Sequence, residues 1–185
     1  MKTKPSSQKK QSTTNRANNP IPATNTRSVW SPRLPLRIKR ILVPIDFSDP
    51  CSKALRYAVG FAEQFGAVLS LVHVLELDPY VNRLLNQLPG SLERDMAKQA
   101  EETLAALAQA EIHELIPVRH HVRVGKPYQE IVALAKSLKF DLIIMPTQGL
   151  TGLKHAVIGS TAERVVRHAP CPVLVVRAKE REFIN

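Results

Sequence analysis

A chain of 185 residues with a formal net charge of +10 is long enough for one domain of ordinary size plus an appendage. Cys51 and Cys171, its two cysteines, are too few and too far apart for a disulfide framework or a metal cluster, and no run of 18 or more apolar residues offers a membrane span. The charge is local: residues 1–40 hold ten Lys and Arg and no Asp or Glu, whereas residues 41–185 hold sixteen basic and sixteen acidic residues, so the high pI implies no basic surface on the domain.

Residues 1–37 are rich in Ser, Thr, Asn, Gln and Pro, with Trp30 as their one aromatic residue. Such a segment buries too little apolar surface to offset its ordering entropy and reads as a disordered basic tail. A solvated linker is the plain reading. Salt-sensitive contact with nucleic acid or anionic lipid is the functional alternative; a transit peptide is a third, opposed by prolines at 5, 20, 22, 32 and 35. No short apolar core follows the basic start, so no secretory precursor is indicated and a reducing cytoplasm fits best.

From Arg40 onward strands and helices alternate. Ile41–Ile45 reads as a first strand, with Pro44 awkward inside it because proline lacks a ladder donor. Ser48 or Asp49 can cap the next helix and Pro50 fits its first turn. Ala54, Leu55, Ala58, Val59, Ala62 and Phe65 form an apolar face, and Gly66 suits a left-handed cap. Ala67–Leu75 is a second interior strand, and residues 76–90 form a loop or partly helical excursion. A long helix starts at Ser91, with Leu92, Met96, Ala100, Leu104 and Leu107 along one face. Pro117–Val124 alternates between Val and basic residues, which places it at a sheet edge. Pro127 opens a helix turning Ile131, Val132, Ala135 and Leu138 inward. Asp141–Met145 is a buried strand, a helix runs from about Ala156 or Thr161 to His168, and Val173–Val176 closes the chain as an apolar strand.

Five strands alternating with four helices predict an α/β fold with a parallel sheet flanked by helices on both faces, Rossmann-like in its winding. Ligands of such sheets lie beyond the carboxyl ends of the strands, where strand order reverses. Two candidate segments follow strands: Asp46, and residues 146–160 with Gly149, Gly152 and Gly159-Ser160-Thr161. Glycines and bare N–H groups before a helix suit a phosphate.

The runs Ile41-Leu42-Val43-Pro44-Ile45-Asp46-Phe47-Ser48, Leu71-Val72-His73-Val74, Val124-Gly125-Lys126-Pro127, Gly149 with Gly159-Ser160-Thr161, and Pro172–Val176, in this order, resemble the universal stress protein family over residues 38–178. Residues 179–185 would then form a short C-terminal tail. The resemblance extends to the family's ATP-binding branch, whose pattern is glycine, two residues, glycine, nine residues, then glycine followed by Ser or Thr. Gly149, Leu150–Ile158 and Gly159-Ser160 match; the first glycine position is Pro146, which carries no N–H.

This resemblance implies an adenine-nucleotide-hydrolase-like fold and a cytoplasmic homodimer paired through Val173–Val176. The implied ligand is ATP, with or without Mg²⁺. Asp46 would accept from the ribose hydroxyls or the adenine edge, and Val74 would meet adenine through its backbone, with Pro44 and Met145 beside them. Gly149, Gly159, Ser160 and Thr161 would line the phosphates. Read from the residues alone, Asp46 and Ser160 could also be helix caps, and His73 a hydrogen-bonded core histidine. His120 and His121 point to opposite faces of a regular strand and cannot share a metal. Cys51, near a helix start, could have a lowered pKa but has no resolving partner, and Lys154 and His155 could reach phosphates or face solvent. A slow ATPase lacks a second carboxylate for Mg²⁺ near the glycine loop and a placed general base. The remaining alternatives are a stress protein without nucleotide, marked by Pro146, and a nucleic-acid tether built on the tail.

Overall fold

The computed structural model describes residues 36–77, 91–149 and 158–177, together with 179 and 181; for Ser91 and Leu92 only the backbone is described. The basic tail, most of the 76–90 excursion, the segment holding Lys154 and His155, and most of the C-terminal tail lie outside these residues. Contacts divide the chain after Pro35, and every described residue belongs to the unit beginning at Leu36.

The described elements are β1 (Arg40–Pro44), α1 (Asp49–Phe65), β2 (Val68–Leu75), α2 (Ser91–Glu111), β3 (Val118–Val124), α3 (Pro127–Ser137), β4 (Leu142–Pro146), α4 (Ser160–His168) and β5 (Val173–Val176). All strand pairs are parallel and the order is β3-β2-β1-β4-β5. The chain therefore winds outward from β1 to β3, returns to place β4 on the other side of β1, and continues to β5. The reversal falls between β1 and β4.

Two apolar layers sandwich the sheet. Ile41, Val43, Leu69, Leu71 and Ile144 pack with Ala54, Leu55 and Ala58 of α1, with Leu104 and Ala108 of α2, and with Ile112 just after it. Leu42, Val72, Ile143 and Met145 pack with Ile131, Leu134 and Ala135 of α3 and with Ala162 and Val165 of α4. Residues 41–43 are buried on both faces, which is why that strand reads as an unbroken apolar run. Gly66 caps α1 at φ 62°, ψ 40°, the left-handed geometry a C-cap glycine supplies.

Some local readings shift. In α3 it is Leu134 that turns inward with Ile131 and Ala135, while Leu138 is 38% exposed at the C-cap, because the helix stops at Ser137 and its stripe stops with it. Ser48 occupies the N-cap position of α1 without a side-chain cap bond. Asp141 lies before β4, where its Oδ2 accepts the N–H groups of Lys39 and Arg40, each at 2.9 Å. That carboxylate anchors the start of the central strand from a hundred residues away.

The prolines have a joint effect. Ile45 N–H donates to Val72 O, so residue 45 faces β2 and residue 44 faces β4; Thr147 N–H donates to Val176 O, so residue 147 faces β5 and residue 146 faces β1. Registered β1–β4 pairing stops at Leu42–Ile143. The next two rungs would need N–H groups at 44 and 146, and both are proline. Backbone pairing of the two central strands therefore ends before their carboxyl ends, at the point where strand order reverses.

β3 is an edge strand. Val118 and Val122 pack into the α1/α2 layer, which puts His120 on that face and Arg119, His121 and Arg123 on the other. Nε2 of both histidines is buried without a hydrogen-bond partner among the described residues. Desolvation, and then the nearby charges of Arg123, Arg119 and His120, hold His121 below the usual histidine range. Among the described residues no group of three or more His, Cys, Asp or Glu could hold a metal, and no described helix is long and apolar enough to cross a membrane.

Candidate functional site

The unpaired carboxyl ends of β1 and β4 line a cavity of about 480 Å³, within the rough 300–1,000 Å³ range of small-molecule clefts. All eight residues singled out from the sequence line it: Pro44, Asp46, Val74, Met145, Gly149, Gly159, Ser160 and Thr161. β1 supplies Pro44 and, just beyond, Asp46. β2 supplies Val74, β4 supplies Met145, and the start of α4 supplies Gly159 to Thr161.

Asp46 is the most constrained of them. Its Oδ1 accepts the Ser48 N–H at 3.0 Å, the Ser48 hydroxyl at 2.5 Å and the Cys51 thiol at 2.8 Å. The first of these closes an Asx turn, a local bond from a carboxylate to the backbone two residues on. Phe47, inside the turn, is thereby held at φ 60°, a conformation rarely adopted by bulky residues. Its ring lies 4.7 Å from that of His73. His73 Nδ1 sits 2.8 Å from Ile45 O; a carbonyl only accepts, so this nitrogen carries the proton. His73 thus tethers β2 to the end of β1 while also lining the cavity.

Gly149 faces the same carboxylate. A Cβ at this position would overlap Asp46 Oδ2, so no other residue fits without moving Asp46. Gly159 is equally a matter of approach: its N–H donates to Thr147 O at 2.7 Å, and a Cβ there would come within 3.2 Å of that same oxygen. Gly159, and not Ser160, is the N-cap of α4, and Ser160 is the first helical residue. The first bond of the α4 ladder runs from Glu163 N–H to Gly159 O. The N–H groups of Ser160, Thr161 and Ala162 precede it and have no intrahelical acceptor, and all three residues line the cavity. They bring the positive end of the helix dipole to one wall.

Among the described lining residues the carboxylic side chains are Asp46 and Glu76, and none is Lys or Arg. Cys51 also lines the cavity, 3% exposed. Its thiol is pushed up to about 12, first by burial and then by its side-chain hydrogen bond with Asp46. The helix-start position suggested the opposite direction; desolvation and the adjacent carboxylate outweigh the dipole. Sequence reasoning did not place Cys51 or Glu76 at the site. Of these Cys51 carried a signal, standing five residues after Asp46 and within the first turn of α1.

This geometry has known counterparts. Residues 37–177 match the model of the universal stress protein family. The chain belongs to that family. A universal stress protein of Methanocaldococcus jannaschii is 32% identical over 144 residues, covering 78% of this chain and 85% of the relative. The solved structure of MJ0577, a second universal stress protein of that organism, superposes with a TM-score of 0.69 at 28% identity, covering 79% of this chain and 100% of the other. A universal stress protein from Archaeoglobus fulgidus, solved in complex with dAMP, shares the fold at 21% identity, with a TM-score of 0.53 and coverage of 76% and 98%. The five-stranded parallel sheet with its four helices is thus the universal stress protein fold.

Proposed function

We propose that this universal stress protein is a regulatory module that binds an adenine nucleotide, ATP in the first instance, in the β1/β4 crevice and works as a cytoplasmic homodimer. The observation that carries the reading is the placement of opposite chemistries on one cavity. An acceptor carboxylate, Asp46, lines it from the end of β1 with Gly149 against it, and the donor end of α4 lines it as well. A nucleoside offers hydroxyls and an amino group to the first and phosphates to the second. The dAMP complex of a relative with this fold supports the ligand class.

In this reading Asp46 orients the sugar or the base edge, Val74 and Met145 contact the base, and Ser160 and Thr161 hold phosphate through backbone N–H and hydroxyl groups. Mg²⁺ would arrive with the nucleotide, since the described residues offer it no cluster of ligands. We read the module as a binder and not an efficient hydrolase: Asp46 Oδ1 is already occupied by three donors, which suits an acceptor and not a general base.

Mass spectrometry of the small molecule released on denaturing the freshly purified protein, with titration of ATP into wild type and Asp46→Ala, tests this. The expected result is a recovered adenine nucleotide and an affinity at least about tenfold lower in the variant, the scale of a lost charge-assisted hydrogen bond. An empty protein that ignores millimolar ATP would remove the nucleotide reading and make Pro146, with its missing donor, the deciding residue.

A further inference from the structure

Asp46 is a single carboxylate on a short turn, and a group that recognises a ligand must be held still to do so. Part of the hold is local: the Asx turn and the Ser48 hydroxyl both reach Oδ1. The third donor comes from α1. Cys51 Sγ lies 2.8 Å from the same Oδ1 and 3.8 Å from Pro44 O, on a residue 3% exposed.

We propose that Cys51 is a positioning residue of the nucleotide site, its S–H donating to Asp46 Oδ1 and fixing the carboxylate plane so that the Oδ2 edge lies over Gly149. The inference rests on the nucleotide reading above. Three donors on one oxygen leave the carboxylate little freedom to rotate, and Oδ2 fills the space that a Cβ on Gly149 would take, so the other oxygen has a defined place as well. A thiol suits this task because it stays neutral: burial and Asp46 itself keep it protonated, with its pKa pushed up to about 12. A thiolate beside Asp46 would repel the group it has to hold. The same facts remove Cys51 from redox chemistry, which requires an accessible thiolate. They also separate it from a buried cysteine that merely fills space, since an apolar filler would need no polar atom at this distance.

The test uses the full chain and two measurements. First, adenine-nucleotide affinity is measured for wild type, Cys51→Ser, Cys51→Val, Asp46→Ala and the Asp46→Ala/Cys51→Val double variant. The expectation is a loss of roughly tenfold for Cys51→Val, from the hydrogen bond it removes, substantial recovery in Cys51→Ser, which keeps a donor, and no further loss from Cys51→Val once Asp46 is absent. Equal losses from Cys51→Val with and without Asp46, or no loss at all, would make Cys51 a packing residue and overturn the proposal. Second, the S–H stretching band is recorded without ligand in a Cys171→Ser background, so that only Cys51 contributes. A band shifted to lower frequency in the parent and restored by Asp46→Ala supports the bond, whereas a band that ignores Asp46 refutes it. The second measurement does not depend on nucleotide, so the two readings fail separately. A wild type that binds no nucleotide removes the site and with it this role, while a wild type that binds but shows additive losses removes the role alone.

Discussion

Two glycines here do different work, and substitution separates them. Gly66 adopts φ 62° with nothing near its absent Cβ, whereas Gly149 has no positive φ but a Cβ there would overlap Asp46 Oδ2. Gly66→Ala is expected to cost about 1 kcal/mol of stability, the penalty of a left-handed non-glycine, and to leave nucleotide affinity unchanged. Gly149→Ala is expected to abolish measurable nucleotide binding by displacing Asp46. Thermal melts and titrations of the two variants, run side by side, check this; similar profiles for both would contradict it. At this scale the sequence is legible only where partners are neighbours in the chain. Asp46, Ser48 and Cys51 sit within one turn of one another, and a carboxylate followed by two donors can be noticed. Asp141 cannot be read this way, because the two N–H groups it accepts belong to Lys39 and Arg40, and only the folded sheet brings them together.

Among the elements, the two edge strands contrast most. β5 is an uncharged apolar row in which Val173, Leu174 and Val175 are half-buried, Leu174 packing on one core layer and Val173 on the other. β3 carries Arg119, His121 and Arg123 on one face, the kind of charge that discourages strand addition. His121 bears the consequence. Its pKa in the fold is lowered, so between that value and the ordinary one near 6.5 the unfolded chain binds the extra proton and stability rises with pH. As pH falls through about 6.5 and below, stability is lost, until the folded form also protonates. Unfolding of wild type and His121→Gln between pH 8 and 5 should show a smaller acid loss in the variant; identical slopes would mean that His121 does not contribute. The alternation of Val with basic residues made this edge readable in advance. The exact start of α4 was not, because either end of residues 156–161 continues the same apolar stripe and only the bond from Gly159 N–H to Thr147 O sets the boundary.

For the molecule as a whole, the edge contrast bears on how the proposed homodimer would pair. Pairing two β3 strands would bring arginines together, while pairing two β5 strands would cover an apolar row, so the homodimer is expected through Val173–Val176. Val175→Lys should shift the protein toward monomer in light scattering, and an unchanged mass would exclude this edge. The parallel sheet with helices on both faces was legible from the alternation of strands and helices, and so was the fact that Asp46 and residues 146–160 follow strands. That Asp46 shares a cavity with Pro146, Thr147, Gly149 and residues 158–160 depends on the strand order, which the alternation does not give. What could not be read was why the crevice opens, since that requires knowing that residues 44 and 146 face each other.

That opposition gives the sheet an uneven seam. The halves β3-β2-β1 and β4-β5 are stitched together at their amino ends and unstitched at their carboxyl ends, where neither strand has a proton to offer. A guest bridging Asp46 and the start of α4 would supply from outside the fastening that the backbone lacks. It would damp the opening of β4 against β1, and β4 is the strand on which β5 hangs. Amide hydrogen exchange at Ile144 and Met145 should therefore slow on adding nucleotide, with the change continuing to Leu174 and Val175. Protection confined to α4 would mean that the seam ignores its guest. If it does continue, the sheet itself relays occupancy to the outer edge, through two positions at which a proton is missing.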